Sequence, residues 1–226
     1  MVSIKNLHKA YRTKKVLHGV ELELVKGKVC GIVGENGAGK TTLFKCIAGL
    51  IDFEGTITSD WKPLKNHLGF LPTQPQFLSR ITGWEYLKLV SIARGIHKDK
   101  FEERNIFDLP LQQYATSYST GMQKKLALLG ILLQKNEVFI LDEPFNGVDI
   151  QSNMLIVDII QQLKTLNKVV VISSHIFSTL SDTCDEIHLL RDGNFVKSVQ
   201  KEGFQELDQE MKEVIVGNKI QRLDLE

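Results

Sequence analysis

The sequence predicts an α/β fold, with one core built on a parallel sheet and a helical insertion of about 60 residues. Three observations predict it. A strand-like segment at residues 28–33 runs through a Gly-rich turn into the helical pattern TTLFKCIAGL, which is how a parallel α/β unit begins. EVFIL (137–141) and KVVVIS (168–173) are unbroken apolar runs of the kind that suits strands covered on both faces. Between these regions, the chain reads as helices and turns.

Taken in order, VSIKNL, VELEL, KVCGIV and GTITS are short strand patterns within the first 60 residues. Gly49 is placed to help stop the first helix. Thr82 and Glu85 have capping-box spacing ahead of WEYLKLVSIARG, and Gly95 is its C-terminal stop. Trp84, Leu87 and Val90 share one face of that helix, as core or as part of a partner surface. FEERNIFDLPLQQYATS stays ambiguous, because Pro110 breaks any long helix there. YSTGMQ (118–123) then opens a helix with Met122, Leu126, Leu129 and Leu133 on one stripe. After EVFIL, a further helix is marked by Leu155, Ile156, Ile159, Ile160 and Leu163. EIHLLRDGNFVKS reads as a hairpin turning at Asp192-Gly193, and the chain closes on a short polar helix and tail that carries no functional signal.

Composition narrows the function classes. The chain has 226 residues, 42% of them hydrophobic, enough for a substantial core. Its 28 Lys and Arg nearly cancel 27 Asp and Glu, so no dense basic face argues for nucleic acid as a main partner. Three scattered cysteines without a CxxC pair suit reduced thiols of a cytosolic protein. No apolar run approaches the roughly 20 residues that span a bilayer, and the N-terminus lacks a signal-peptide apolar region. Any membrane role is therefore expected to pass through a separate polypeptide.

GENGAGKT (34–41) fits the phosphate-loop pattern. The glycines let successive backbone N–H groups turn inward, and the following helix points its positive end at the same oxygens. Gly34, Glu35, Asn36, Gly37, Ala38 and Gly39 make the loop. Lys40 supplies a point charge for β- and γ-phosphates, and Thr41 a hydroxyl for Mg²⁺, with Thr42 next in line. VFILDEP (138–144) supplies the acidic partner. Asp142, at the carboxyl end of a buried strand, suits the Mg²⁺ shell, and Glu143 suits a water in line with the γ-phosphate. A nucleoside triphosphate with Mg²⁺ is the expected ligand.

The order GENGAGKT, YSTGMQKKL, FILDEPFNGVD, SSH resembles the nucleotide-binding subunit of an ABC transporter over residues 1–200. The resemblance implies a P-loop NTPase with a RecA-like core (residues 1–73 and 136–200), an N-terminal antiparallel β subdomain within it, and a helical subdomain (74–135). Residues 201–226 follow as a C-terminal tail. It implies that Ser119, Thr120, Gly121 and Met122 are the signature motif, capping ATP held by a second subunit in a head-to-tail dimer. It places His175 as the switch histidine near Glu143, Asp149 in the D-loop, and Tyr11 against adenine. Together with Lys40, Glu143 and His175 would carry the catalysis. It implies a second copy or a homologous ATPase as one partner and a transmembrane permease as the other. The location would be cytoplasmic, at the inner face of the membrane. The signature and the compact chain are similar to exporter-type subunits.

The sequence also departs from the family pattern. Thr120 and Met122 replace the usual Gly and Gln. Thr73 stands where a glutamine is expected, so the metal-side role passes to Gln74, one residue later. A soluble ABC protein acting on nucleic acid or the ribosome, and a non-catalytic nucleotide sensor, are the rival readings. The single cassette and the joint presence of Lys40, Asp142, Glu143 and His175 weigh against them.

Overall fold

The computed structural model describes residues 1–97 and 100–220, with side chains described as far as 212. The closing residues of the tail, 221–226, lie outside the described residues. Strands β1 (Val2–Tyr11), β2 (Lys14–Leu24) and, further on, β4 (Glu54–Ser59) form an antiparallel sheet in the order β2-β1-β4. The second sheet has six strands, in the order β5-β6-β7-β3-β8-β9. They are β3 (Lys28–Val33), β5 (Leu68–Leu71), β6 (Val138–Asp142), β7 (Val169–Ser174), β8 (Glu186–Arg191) and β9 (Asn194–Gln200). All neighbours in it are parallel except β9, which returns antiparallel along the edge.

The apolar runs explain the position of the central strands. β6 and β7 are buried along their whole length. Alternate residues feed two cores: Val29, Val33, Phe139, Leu141, Val170 and Ile172 face one, and Cys30, Ile32, Ile140 and Val171 the other. Helix α1 (Lys40–Ile47) packs into the second core through Leu43 and Phe44. It ends as expected at Gly49, whose φ of 68° lets Leu50 N–H reach Lys45 C=O at 2.9 Å. α4 (Ile150–Thr165) packs into the first core through Ile156, Ile160 and Leu163, and the short α5 (Phe177–Ser181) through Phe177 and Leu180.

The helical insertion contains α2 (Gly83–Ile92) and α3 (Thr120–Leu133). Thr82 and Glu85 form the complete capping box expected at the start of α2. Gly95 ends that helix with a φ of 66°. The ambiguous stretch between them is not a long helix. It carries only short turns, and it buries Phe101, Phe107, Leu109 and Leu111 as a plug under α2 and α3. Asn105 holds the plug by bonding both N–H and C=O of Leu109, at 3.0 and 2.8 Å.

The β8–β9 turn follows the Asp-Gly expectation, with φ of 46° at Asp192 and 75° at Gly193. Gly193 does more than turn. Its C=O accepts from His18 N–H at 3.0 Å, and its N–H donates to Ala38 C=O at 3.2 Å. A Cβ there would sit 2.3 Å from Val16 O. After β9 the chain forms α6 (Phe204–Ile220), which is longer than the short helix its polarity suggests. Its first turns are anchored by Phe204, Leu207 and Met211 in the first core.

Candidate functional site

The site forms where three adjacent strands end. In the order β6-β7-β3, the strands release Asp142 and Glu143, then His175, then the loop at Gly34, all at carboxyl ends. Register fixes the spacing: Asp142 lies opposite Ser173, and Val33 opposite Ser174. The result is a hollow of about 420 Å³ walled chiefly by Glu35, Lys40, Thr41, Thr73, Glu143 and His175.

The loop has the shape its glycines permit. Gly37 and Gly39 take φ of 90° and 112°, and Gly39 leads directly into α1. A Cβ on Gly34 would meet Leu190 O at 2.4 Å, so the loop lies flat on β8. Glu35, Asn36, Gly37, Gly39, Lys40, Thr41 and Thr42 line the hollow, while Ala38 is buried behind them. Lys40 Nζ donates to Gly34 O at 2.6 Å and Glu35 O at 3.2 Å, and lies 3.5 Å from Glu143 Oε1.

Asp142 is fully buried and collects three hydroxyls. Ser173 Oγ donates to Oδ1 at 2.6 Å, and Thr41 Oγ1 and Thr73 Oγ1 both donate to Oδ2 at 2.6 Å. A hard divalent cation suits this oxygen-only donor set of a threonine hydroxyl beside a carboxylate. Thr41 and Asp142 are the residues that could hold Mg²⁺. The expectation that Gln74 stands beside them meets a different geometry. Gln74 is exposed and lines a separate hollow with Thr120, Gln123 and Gly147. Thr73, one residue earlier, fills the place against Asp142.

Glu143 is held in a left-handed conformation, φ 52°, which is unfavourable for a glutamate. Two bonds fix it. Its N–H donates to Ser173 Oγ at 3.0 Å, and its C=O accepts from Lys124 Nζ at 2.7 Å. Its carboxylate is thereby turned between Lys40 and His175, with Oε2 2.9 Å from His175 Nδ1. Sequence reasoning passed over Ser173 and Lys124. A serine in a buried run and a lysine on an apolar stripe were the available signals. Burial pushes the Lys124 ammonium below its usual range, against the opposing pull of Glu143 and Asp142.

The signature residues stand elsewhere. Ser119 and Thr120 are exposed, and Ser119 Oγ accepts from Met122 N–H at 3.2 Å as the N-cap of α3. Gly121 lies against the segment after Glu143, where a Cβ would be 2.4 Å from Gly147 O. None of residues 119–122 is among the described residues lining the phosphate hollow. Asp149 caps α4 through Ser152 N–H at 2.8 Å, and Lys125 Nζ reaches it at 3.0 Å. Tyr11 ends β1, 46% exposed, with Lys9 Nζ 5.3 Å from its ring centroid, and is not a wall of the hollow.

Comparison with known proteins agrees with this geometry. Residues 17–146 match the family described as ABC transporter. An uncharacterized ABC transporter ATP-binding protein, YthP of Bacillus subtilis, is 34% identical over 80% of this chain and 78% of its own. The lantibiotic transport ATP-binding protein SrtF of Streptococcus pyogenes is 28% identical over 92% of this chain and 95% of its own. The ATP-binding cassette MJ0796, solved as a dimeric post-hydrolysis state bound to ADP and Pi, superposes with a TM-score of 0.80. It is 20% identical over 89% of this chain and 99% of that one, a likeness of fold. With a phosphate loop, a buried strand-end carboxylate pair and this match over more than half its length, the chain belongs to the ABC transporter family as an ATP-binding subunit, an ATPase coupled to transport.

Proposed function

We propose that the chain works as one half of a head-to-tail dimer with two composite ATP sites, driving a separate transmembrane subunit, and that the transporter is an exporter. The observation that carries the reading is the division of the chain's two anion-binding surfaces. Lys40, Glu143 and His175 meet in one hollow, while the exposed start of α3 at Ser119 has no share in its wall. A helix start of that kind attracts negative charge, and in a two-fold dimer it faces the partner's hollow. The dimeric state of the MJ0796 cassette and the transport role in the name of SrtF support this reading.

In the proposed cycle, the loop amides and Lys40 hold the phosphates of ATP. Thr41 and Asp142 would hold Mg²⁺, which would supply positive charge to the phosphates, and Thr73 rather than Gln74 would support them. Glu143, already turned toward Lys40 and His175, takes the proton of the attacking water as its oxygen bonds the γ-phosphorus. The bond to the ADP oxygen breaks, giving ADP and phosphate. Lys40, His175 and the partner's signature stabilise the charge spread over the transferred group. Tyr11 stacks on adenine, and Asp149 borders the partner. Residues 74–135 move as the helical subdomain against the core. No helix among the described residues is long and apolar enough to cross a membrane. The proposed place of action is the inner face of the membrane, through the permease, with no nucleic acid involved.

Glu143→Gln tests both halves of the reading. The variant should bind Mg-ATP and lose turnover, and light scattering should show a monomer that becomes a dimer only with Mg-ATP. Adding Ser119→Arg should abolish the shift. Full turnover in Glu143→Gln would remove the residue from its role. An ATP-bound monomer would remove the self-assembled dimer.

A further inference from the structure

A second cluster of ligand-type side chains lies on the far side of β3 from the first core, away from the nucleotide hollow. Cys30 of β3 pairs in register with Glu186 of β8, and His188 follows two residues later on the same face. One ligand atom from each lies within 4.8 Å of the others. Cys30 and Glu186 are buried and His188 half-buried. None of the three lines the hollow that holds Lys40 and Glu143.

The hydrogen bonding around the three side chains leaves one atom unused. His188 Nδ1 is 2.7 Å from Ser198 Oγ on β9, and Glu186 Oε2 accepts from Gln200 Nε2 at 3.0 Å. These contacts orient the imidazole and the carboxylate from behind, as outer partners of metal ligands do. His188 Nε2 is then buried with no hydrogen-bond partner. It lies 3.6 Å from Glu186 Oε1, too far for a good hydrogen bond. That separation is close to the one in a tetrahedral zinc shell, where bonds of about 2.0–2.2 Å put a nitrogen and an oxygen ligand about 3.3–3.5 Å apart.

We propose that Cys30, Glu186 and His188 bind a divalent transition-metal ion of the zinc class, with the fourth position open to water. One sulfur, one imidazole nitrogen and one carboxylate oxygen are a borderline-soft donor set, which favours zinc-like ions over Mg²⁺ or Ca²⁺. Binding forms a metal–sulfur bond, and the thiol proton of Cys30 leaves to solvent. No electron changes hands. Access runs along the edge strand β9, where Ser198 and Gln200 are exposed. The ion would clasp β3 to β8, and β3 continues directly from Val33 into the phosphate loop.

Cobalt(II) chloride is the probe. The full chain, stripped with a chelator and kept reduced with a phosphine, is titrated with Co²⁺ in excess Mg²⁺ without nucleotide. One equivalent should give a thiolate-to-cobalt charge-transfer band in the near ultraviolet and intense visible bands of tetrahedral cobalt. Equimolar Zn²⁺ should bleach both, and Zn²⁺ should raise the thermal midpoint where Mg²⁺ does not. Cys30→Ser should lose the charge-transfer band, and Cys184→Ser should keep it. His188→Asn, at the half-open rim, should weaken binding at least tenfold and serves if Cys30→Ser fails to fold. A wild-type protein without the charge-transfer band overturns the proposal, as does an unchanged band in Cys30→Ser or unchanged affinity in His188→Asn.

Discussion

Lys124 Nζ donates to the backbone carbonyl of Glu143 at 2.7 Å, joining helix α3 to the residue whose carboxylate faces Lys40 and His175. The same ammonium reaches Asn146 O at 3.0 Å. The lysine is almost fully buried, and its charge is spent on these two carbonyls, the first of which also accepts from Asn146 N–H at 3.2 Å. Lys124→Met should cost about 2 kcal/mol of stability, the scale of buried groups left unpaired. It should also free the strained Glu143 backbone and lower kcat by about tenfold, equivalent to about 1.4 kcal/mol on the barrier. Denaturant unfolding and steady-state phosphate release measure the two effects. Unchanged kcat with lowered stability would reduce Lys124 to a packing role.

Thr73 and Gln74 offer a cleaner contrast. Thr73 Oγ1 is bonded to Asp142 Oδ2, whereas Gln74 is exposed beside Thr120. Thr73→Val should raise the Mg²⁺ concentration for half-maximal ATPase several-fold, the effect of about 1 kcal/mol from one lost hydrogen bond. Gln74→Ala should leave it unchanged. A Mg²⁺ titration of both variants decides which residue serves the carboxylate.

Gly121 is intolerant for a reason internal to the chain. A methyl group there would meet Gly147 O at 2.4 Å. Gly121→Ala should destabilise the protein by about 1–3 kcal/mol through overpacking, and should do so in the monomer without nucleotide. Chemical unfolding of the free chain checks this.

Asp149 gives a pH signature. The backbone N–H of Ser152, then the Ser152 hydroxyl and Lys125, hold its carboxyl well below the usual range. A folded-state pKa lower than the unfolded one stabilises the fold fully above the ordinary value of 3.8. That stabilisation drains away as the pH falls toward the folded value. Asp149→Asn keeps a capping side chain but cannot titrate. Below about pH 4, thermal midpoints of wild type and variant should converge as acid is added. A constant gap would show that the charge contributes nothing.

Much of this was legible in the sequence because local chemistry decides it. The Gly34–Thr41 loop, the Thr82/Glu85 box and the Asp192-Gly193 turn each obey rules contained within a few residues. The apolar runs at 137–141 and 168–173 show their double burial directly. Strand β5 did not show itself, because four residues, LGFL, have no period to read and gain strand character only by pairing with β6. The plug at 101–111 was ambiguous because its apolar residues follow neither period; the surrounding helices shape it. Ser173 and Lys124 escaped notice for a third reason. Their partners are a carboxylate and backbone carbonyls remote in sequence, and no pattern in one chain reports such a contact. Gln74 differs for a similar reason: the bend after β5 brings Thr73, not its neighbour, onto the carboxylate of Asp142, a contact remote in sequence.

The hydrogen bonds of Gly193 carry a thermodynamic consequence. Through its C=O and N–H, a surface hairpin splints β2 and the back of the phosphate loop at Ala38. The loop is thus stiffened from behind before any anion arrives, and a nucleotide entering it need not freeze a disordered segment. Calorimetry of ADP binding should therefore find little of the unfavourable entropy that accompanies coupled folding. The hairpin, which backs the loop without walling the phosphate hollow, contributes to the entropic side of affinity.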